Sequence, residues 1–175
     1  MFPTDRKPWK ISRFIVLLSI LLPLAFIQTR AQAEGTQTFT GKVVGVSDGD
    51  TITVMHQGRG EKVRLAGIDC PEKKQAFGTR AKQFTSDASF GKFVTVKVET
   101  IDRYGRTVGE VILPDGKILN RELVSVGFAW WYRQYSNDES LGQLEVEART
   151  AKRGLWVEPN PIPPWEFRKL QRAVR

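Results

Sequence analysis

Along residues 37–113 apolar and polar positions alternate in five short runs separated by turn residues, the period-two pattern of half-buried strands. Gln37 to Val46 alternates around Phe39, Val43 and Gly45. Asp48-Gly49-Asp50 makes a turn, and Thr51 to Met55 alternates again. His56 to Glu61 contains Gly58 and Gly60 and reads as a hairpin loop, after which Lys62 to Ile68 returns as a third strand. Lys92 to Ile101 alternates strongly and pairs with Arg106 to Leu113, which ends at the turn Pro114-Asp115-Gly116.

Helical spacing appears in three places. Phe77, Ala81, Phe84 and Ala88 form an apolar stripe between Lys74 and Phe90. Asn120 is a candidate N-cap for a short helix ending at Gly127. Leu141, Leu144, Ala148, Ala151 and Leu155 repeat the stripe, with Gly154 as a stop signal. The proline-rich stretch from Pro159 to Pro164 does not continue that helix. Five strands, a helix between the third and fourth, and helices after the fifth make the order of an OB-type barrel. The expected fold class is therefore mainly β with helices: a five-stranded OB-fold barrel with three helices.

The N-terminus follows a different pattern. Arg6, Lys7, Lys10 and Arg13 precede an apolar run from Phe14 to Ile27, and Ala31-Gln32-Ala33 has the spacing of a signal-peptidase site. The run is short for a membrane span, which takes roughly 20 apolar residues. Residues 1–33 read as a signal peptide, 34–157 as the folded domain and 158–175 as a proline-rich, basic tail. An exported protein, periplasmic or secreted, is expected, with no stable membrane association after processing. An uncleaved signal anchor that tethers it to the membrane is the alternative.

Removing that leader changes the charge. The whole chain has 27 basic and 19 acidic residues and a net charge of +8. The leader holds five of the basic residues and one acidic, so 22 and 18 remain and the net falls to +4. A mild basic excess suits nucleic acid without deciding for it. Cys70 is the only cysteine and His56 the only histidine. The chain therefore has no internal disulfide and lacks the three or four N/S ligands of a usual zinc site. Any metal must be hard and oxygen-bound.

Four clusters carry candidate chemistry: Asp48-Gly49-Asp50-Thr51, Arg64 through Glu72, Asp102-Arg103-Tyr104-Gly105-Arg106, and the aromatic run Trp130-Trp131-Tyr132 with Tyr135 beyond it. Each has an ordinary reading. An Asp-Gly-Asp turn is common turn chemistry, Pro71 and Glu72 suit a helix start, and aromatics more often fill cores. Together they allow more. Two carboxylates at neighbouring strand ends can hold one hard cation, completed by a backbone carbonyl and waters. Guanidiniums match phosphate oxygens with a planar fork and neutralise charge developing on phosphorus. A further carboxylate can orient or deprotonate water. A Cys70–His56 dyad lacks a third, orienting group, and Gly41 and Gly45 do not complete a dinucleotide fingerprint.

From about Thr38 to about Trp156 the chain resembles the staphylococcal nuclease (thermonuclease) family. The resemblance rests on Ser47-Asp48-Gly49-Asp50-Thr51, on Val63-Arg64-Leu65 through Asp69-Cys70-Pro71-Glu72, and on Arg103-Tyr104-Gly105-Arg106. It implies an OB-fold barrel with one Ca²⁺ site, for which Asp50 and Asp69 supply carboxylates and Cys70 a backbone carbonyl. It implies phosphate binding by Arg64 and Arg106, water positioned or activated by Glu72, and Arg103 and Tyr104 beside a terminal phosphate. The implied reaction is endo- and exonucleolytic cleavage of DNA and RNA leaving 3′-phosphate ends, by a monomer preferring single-stranded or unstructured regions. Two departures are visible: Cys70 stands where the type enzyme has Thr, and the stretch from Glu72 to Phe77 is shorter. The competing reading is an OB domain that binds single strands without cutting, with Trp130, Trp131 and Tyr132 as the stacking platform.

Overall fold

The computed structural model describes residues 37–174. The predicted leader lies outside the described residues. Strands β1 (Thr38–Asp48), β2 (Thr51–His56) and β3 (Arg59–Leu65) form an antiparallel meander. A two-residue strand β4 (Ile68–Asp69) follows, then helix α1 (Gly78–Ser89), β5 (Phe93–Ile101) and β6 (Thr107–Ile112). The remainder is α2 (Leu119–Ser125), a two-residue strand β7 (Trp130–Trp131), α3 (Glu139–Thr150), a 3-10 turn (Gly154–Val157) and α4 (Pro164–Ala173).

Five of these strands close into a barrel in the order β1-β2-β3-β6-β5. Closure uses the antiparallel pairing of β1 with β5 and the parallel pairing of β3 with β6, and it leaves no long free edge. The alternation seen in sequence is the alternation of faces. Val43, Ile52, Val54, Val63, Leu65, Val94, Val96 and Val111 all point inward and are almost completely buried. Ala81 of α1 and Leu119, Leu123 and Val124 of α2 complete that core, with Phe84 and Ala88 packed against it. At roughly 25 cal/mol per Å² of apolar surface removed from water, each large aliphatic side chain here contributes about 1.5–3 kcal/mol.

The structure differs in detail from the sequence expectations: the expected loop from His56 to Glu61 narrows to a turn at Gln57-Gly58, with β3 starting at Arg59. The third expected strand ends at Leu65, and Ile68–Asp69 form a separate pair with β7, Asp69 opposite Trp130 and Ile68 opposite Trp131. Asn120 lies inside α2, whose N-cap is Ile118. Its buried side chain accepts from the Val111 amide and donates to the carbonyls of Ala66 and Gly109, tying helix to barrel. The same side-chain chemistry that suits Asn for an N-cap suits it for stitching backbone groups that the barrel leaves unpaired.

The structure also has a fourth helix, α4, within the expected proline-rich tail. Pro164 stands in its first turn, where a missing N–H costs nothing, with Glu166 beside it and Arg172 in the last turn. A second, smaller core forms where this tail returns: Trp130, Ala148, Leu155 and Trp156, with Phe77 and Trp165 against them. Glu145, buried in α3, is paired with Arg133 and Arg149, and the Arg149 guanidinium lies 3.8 Å from the centroid of the Trp156 ring. Among the described residues no helix is long and apolar enough to cross a membrane.

Candidate active site

Barrel register brings the first two sequence clusters together. The β1–β2 turn ends at Asp50, and Thr51 pairs with Arg64 on β3. The turn is held from several sides: the Asp50 carbonyl accepts from the Leu65 amide, and the Gly49 carbonyl from the Thr85 hydroxyl of α1 at 2.5 Å. Position 49 has no room for a side chain, since a Cβ there would lie 2.8 Å from the Cβ atoms of both Ala81 and Cys70. Asp50 therefore points inward, and its Oδ2 accepts from the Cys70 amide at 2.7 Å. Asp69, on β4, is fully buried beside it.

Both carboxylates converge on one guanidinium. Arg64 pairs with Asp50 Oδ1 through one terminal nitrogen and with Asp69 Oδ1 at 2.7 Å through the other, which also donates to the Ile68 carbonyl. Three of its five N–H donors are thus engaged, and two remain for another partner. Two adjacent carboxylates withdrawn from water require a compensating positive charge. The donors are hard oxygens, which fits a hard divalent cation. Among the described residues no group of three or more His, Cys, Asp or Glu side chains gathers as a metal cage. A cation held here would take Asp50 and Asp69 from the side chains, and a backbone carbonyl and waters for the rest.

Cys70 is buried, and burial pushes its thiol well above the ordinary range, with the Asp69 carboxylate adding to the effect against Arg64. It is therefore a poor thiolate nucleophile, and His56 packs against Phe39 instead, with ring centroids 4.5 Å apart and planes tilted by 36°. Glu72 stands in the loop after β4, its side chain 39% exposed. A short reciprocal turn fixes that loop: the Gln75 amide donates to the Glu72 carbonyl, and the Glu72 amide to Gln75 Oε1 at 3.0 Å. Gly78 makes the turn possible, because a Cβ there would sit on the Glu72 carbonyl oxygen.

Arg106 enters from the other side of β3. Arg106 directly precedes β6, whose Thr107 and Val108 pair with Val63 and Arg64 in the parallel β3–β6 ladder, so it stands at the strand end beside Arg64's strand. Arg106 does not pair with the buried carboxylates. Asp102 holds it, accepting from Arg106 Nε at 2.7 Å and from the Arg106 and Tyr104 amides. Burial opposes ionisation of Asp102, but these hydrogen bonds outweigh it and keep the carboxyl below the usual carboxylate range. Arg103 and Tyr104 lie exposed at this rim, joined by a 2.7 Å hydrogen bond, with both Arg103 and Arg106 near the Tyr104 ring. The structure thus gathers Asp50, Arg64, Asp69 and Glu72 into one cluster and sets Arg103, Tyr104 and Arg106 on a separate turn.

One residue in this cluster was not singled out in the sequence. Arg168 of α4 pairs with Asp69 Oδ2 at 2.8 Å and with Glu72 Oε1 at 2.7 Å. Burial works against its charge, and the hydrogen bonds it donates to the Asp69 and Glu72 carboxylates more than restore it. The aromatic run does not form an open platform. Trp130 is buried against Trp156, and Tyr132 stacks on Trp165 with centroids 5.0 Å apart and planes 3° from parallel.

The model of the family described as staphylococcal nuclease homologue matches residues 62–158. A protein of Escherichia coli O157:H7 named uncharacterized endonuclease is 47% identical over 128 residues, covering 73% of this chain and 84% of its own. The chain belongs to the staphylococcal nuclease family. A micrococcal nuclease of Shigella flexneri is 42% identical, over 77% of this chain and 83% of its own. An uncharacterized endonuclease of Haemophilus influenzae is 40% identical, over 93% and 89%. As a member of the staphylococcal nuclease family the chain is an enzyme, a hydrolase of the nuclease class. The competing reading of a domain that binds without cutting gives way to this, and its supposed platform is spent on packing.

Proposed function

We propose that this nuclease is exported, depends on Ca²⁺, and cleaves DNA and RNA at single-stranded or unstructured regions to leave 3′-phosphate ends. The observation that carries the reading is the ion-pair cluster in which Arg64 joins Asp50 to Asp69 and Arg168 joins Asp69 to Glu72. Asp50 and Asp69, with the Cys70 carbonyl, are the proposed calcium ligands. The bound cation would supply Lewis-acid stabilisation of charge on a phosphate oxygen. The protein's own groups do the rest. Arg64, with two donors to spare, and Arg106, fixed by Asp102, bind the phosphate and offset the charge that develops during displacement. Glu72 is solvent-accessible, so it can meet a water, and it orients that water or takes its proton. Arg103 and Tyr104, exposed beside Arg106, meet a terminal phosphate.

Export rests on the basic, apolar and Ala-x-Ala pattern of residues 1–33. The assay that tests the reading follows denatured DNA with the purified protein in Ca²⁺ and then in EGTA. Cleavage is expected in the first condition and its loss in the second, with 3′-phosphate termini on the products. Full activity in chelator would remove the metal, and full activity of Glu72→Gln would remove the role of that carboxylate. A mass measurement of the exported protein is expected to place its N-terminus after Ala33.

A further inference from the structure

The C-terminal helix reaches the site through a set of contacts that the cleavage reaction described above does not use. Glu72 sits on an irregular loop with its side chain partly in solvent, a position in which a flexible carboxylate samples several rotamers. Two contacts from the C-terminal segment restrain it. The Gln75 side chain that caps the Glu72 amide also donates through Nε2 to the Ile162 carbonyl at 2.6 Å, which fixes the loop backbone. Arg168 then holds the carboxylate itself, one terminal nitrogen on Glu72 Oε1 at 2.7 Å and the other on Asp69 Oδ2 at 2.8 Å.

The helix is anchored so that this contact is directed. Trp165 stacks on Tyr132 and meets the edge of Trp130 at 5.7 Å, while Pro164 is buried. Trp165 and Arg168 are three residues apart and so share a helix face. Docking the indole on β7 aims the guanidinium at Asp69, which is the residue β7 pairs with Trp130. A planar fork spanning two carboxylates fixes the angle between them, which a lysine does not do.

We infer that Arg168 is a positioning residue of the nuclease reaction, holding the Glu72 carboxylate against Asp69 so that it faces the attacking water. The inference rests on the proposed role of Glu72. The C-terminal helix is then a working part of the active site, and it shapes the short loop after Glu72 from outside.

The test compares Arg168→Gln, Arg168→Lys, Glu72→Gln and the double variant Glu72→Gln/Arg168→Gln, with Lys169→Gln as a charge control on the exposed face of the same helix. With Ca²⁺ saturating, Arg168→Gln is expected to lower kcat on the order of 10- to 100-fold, the usual cost of losing an orienting partner, with KM little changed. Lysine is expected to restore only a minor part, because charge without the fork does not fix the carboxylate. The double variant is expected to be no slower than Glu72→Gln alone, and Lys169→Gln to match the wild type. Calcium affinity, measured by calorimetry without nucleic acid, is expected to be undiminished in Arg168→Gln. An unchanged or raised kcat in Arg168→Gln, beside a slow Glu72→Gln, overturns the positioning role and leaves Glu72's role standing. A fast Glu72→Gln overturns the underlying reading instead. Calcium binding weakened enough to account for the loss in Arg168→Gln also overturns the inference, since the residue would then act on the metal. The docking of α4 depends on Trp165, so thermal melts of the Arg168 variants are expected to stay close to the wild type.

Discussion

Gly49 shows how one missing side chain decides where a carboxylate points. The Asp48-Gly49-Asp50 turn lies against α1, and a Cβ at 49 would press on Ala81 and on both the Cβ and Sγ of Cys70. Neither neighbour is the free end of a flexible chain. Gly49→Ala is therefore expected to destabilise the fold by about 1–3 kcal/mol, the usual cost of overpacking, as read by urea unfolding. It should also lower calcium affinity, because Asp50 follows directly. Cys70 is expected to react slowly with a thiol reagent in the native protein and rapidly in denaturant, since it is 4% exposed. The acidic and basic residues of the cluster were legible because their partners lie within a few strands of sequence. Arg168 was not: it meets Glu72 from 96 residues away, through a segment whose prolines obscured the helix behind them. Asn120 was legible as polar and local, yet its buried role depends on carbonyls that only barrel closure brings near.

At the level of elements, strand alternation translated directly into inward and outward faces, and so the barrel could be read in advance. Helix ends were harder, because capping is chosen by geometry at a single residue. Helix α3 begins at Asp138, whose Oδ1 accepts from the Ser140 amide at 3.0 Å and from the Ser140 hydroxyl at 2.6 Å. Asp138→Ala is expected to cost about 1 kcal/mol, as losses of an N-cap do. The Ser140 hydroxyl hydrogen bond, against some burial, holds the Asp138 carboxyl below its ordinary range, with the Ser140 amide and Arg121 helping. A carboxyl depressed in the folded state contributes fully above its unfolded pKa of about 3.9 and loses that contribution as pH falls further. The stability gap between wild type and Asp138→Ala is thus expected to be constant near neutral pH and to shrink below about pH 4, as checked by denaturant titrations at several pH values. The same logic separates α4 from α3. Helix α4 has no side-chain cap and is held by aromatic stacking, so Trp165→Ala is expected to release it and to slow cleavage at least as much as Arg168→Gln, while the barrel's circular dichroism is retained.

For the whole molecule, the site and the fold's stability are linked through charge. Asp50, Asp69 and Glu72 face two guanidiniums, Arg64 and Arg168, so the cluster as a whole carries one negative charge in excess, with Asp50 and Asp69 buried and Glu72 partly exposed. Withdrawing carboxylates from water without full compensation costs stability, and a divalent cation bound at the proposed site relieves that cost only in the folded state. Binding to the native state alone stabilises by RT ln(1 + [Ca²⁺]/Kd), about 2.7 kcal/mol at a hundredfold excess over Kd. For a domain of this size such a gain corresponds to a rise in Tm on the order of 5–15 °C. Calcium is therefore expected to raise the melting temperature of the wild type, with EGTA reversing the shift. In Asp50→Asn the rise should be much reduced, because one of the two carboxylates is gone. In Glu72→Gln it should persist, because that carboxylate is assigned to water and not to the metal. A calcium shift lost equally in Asp50→Asn and Glu72→Gln would move Glu72 into the coordination shell, and the division of labour among the three acids would have to be redrawn.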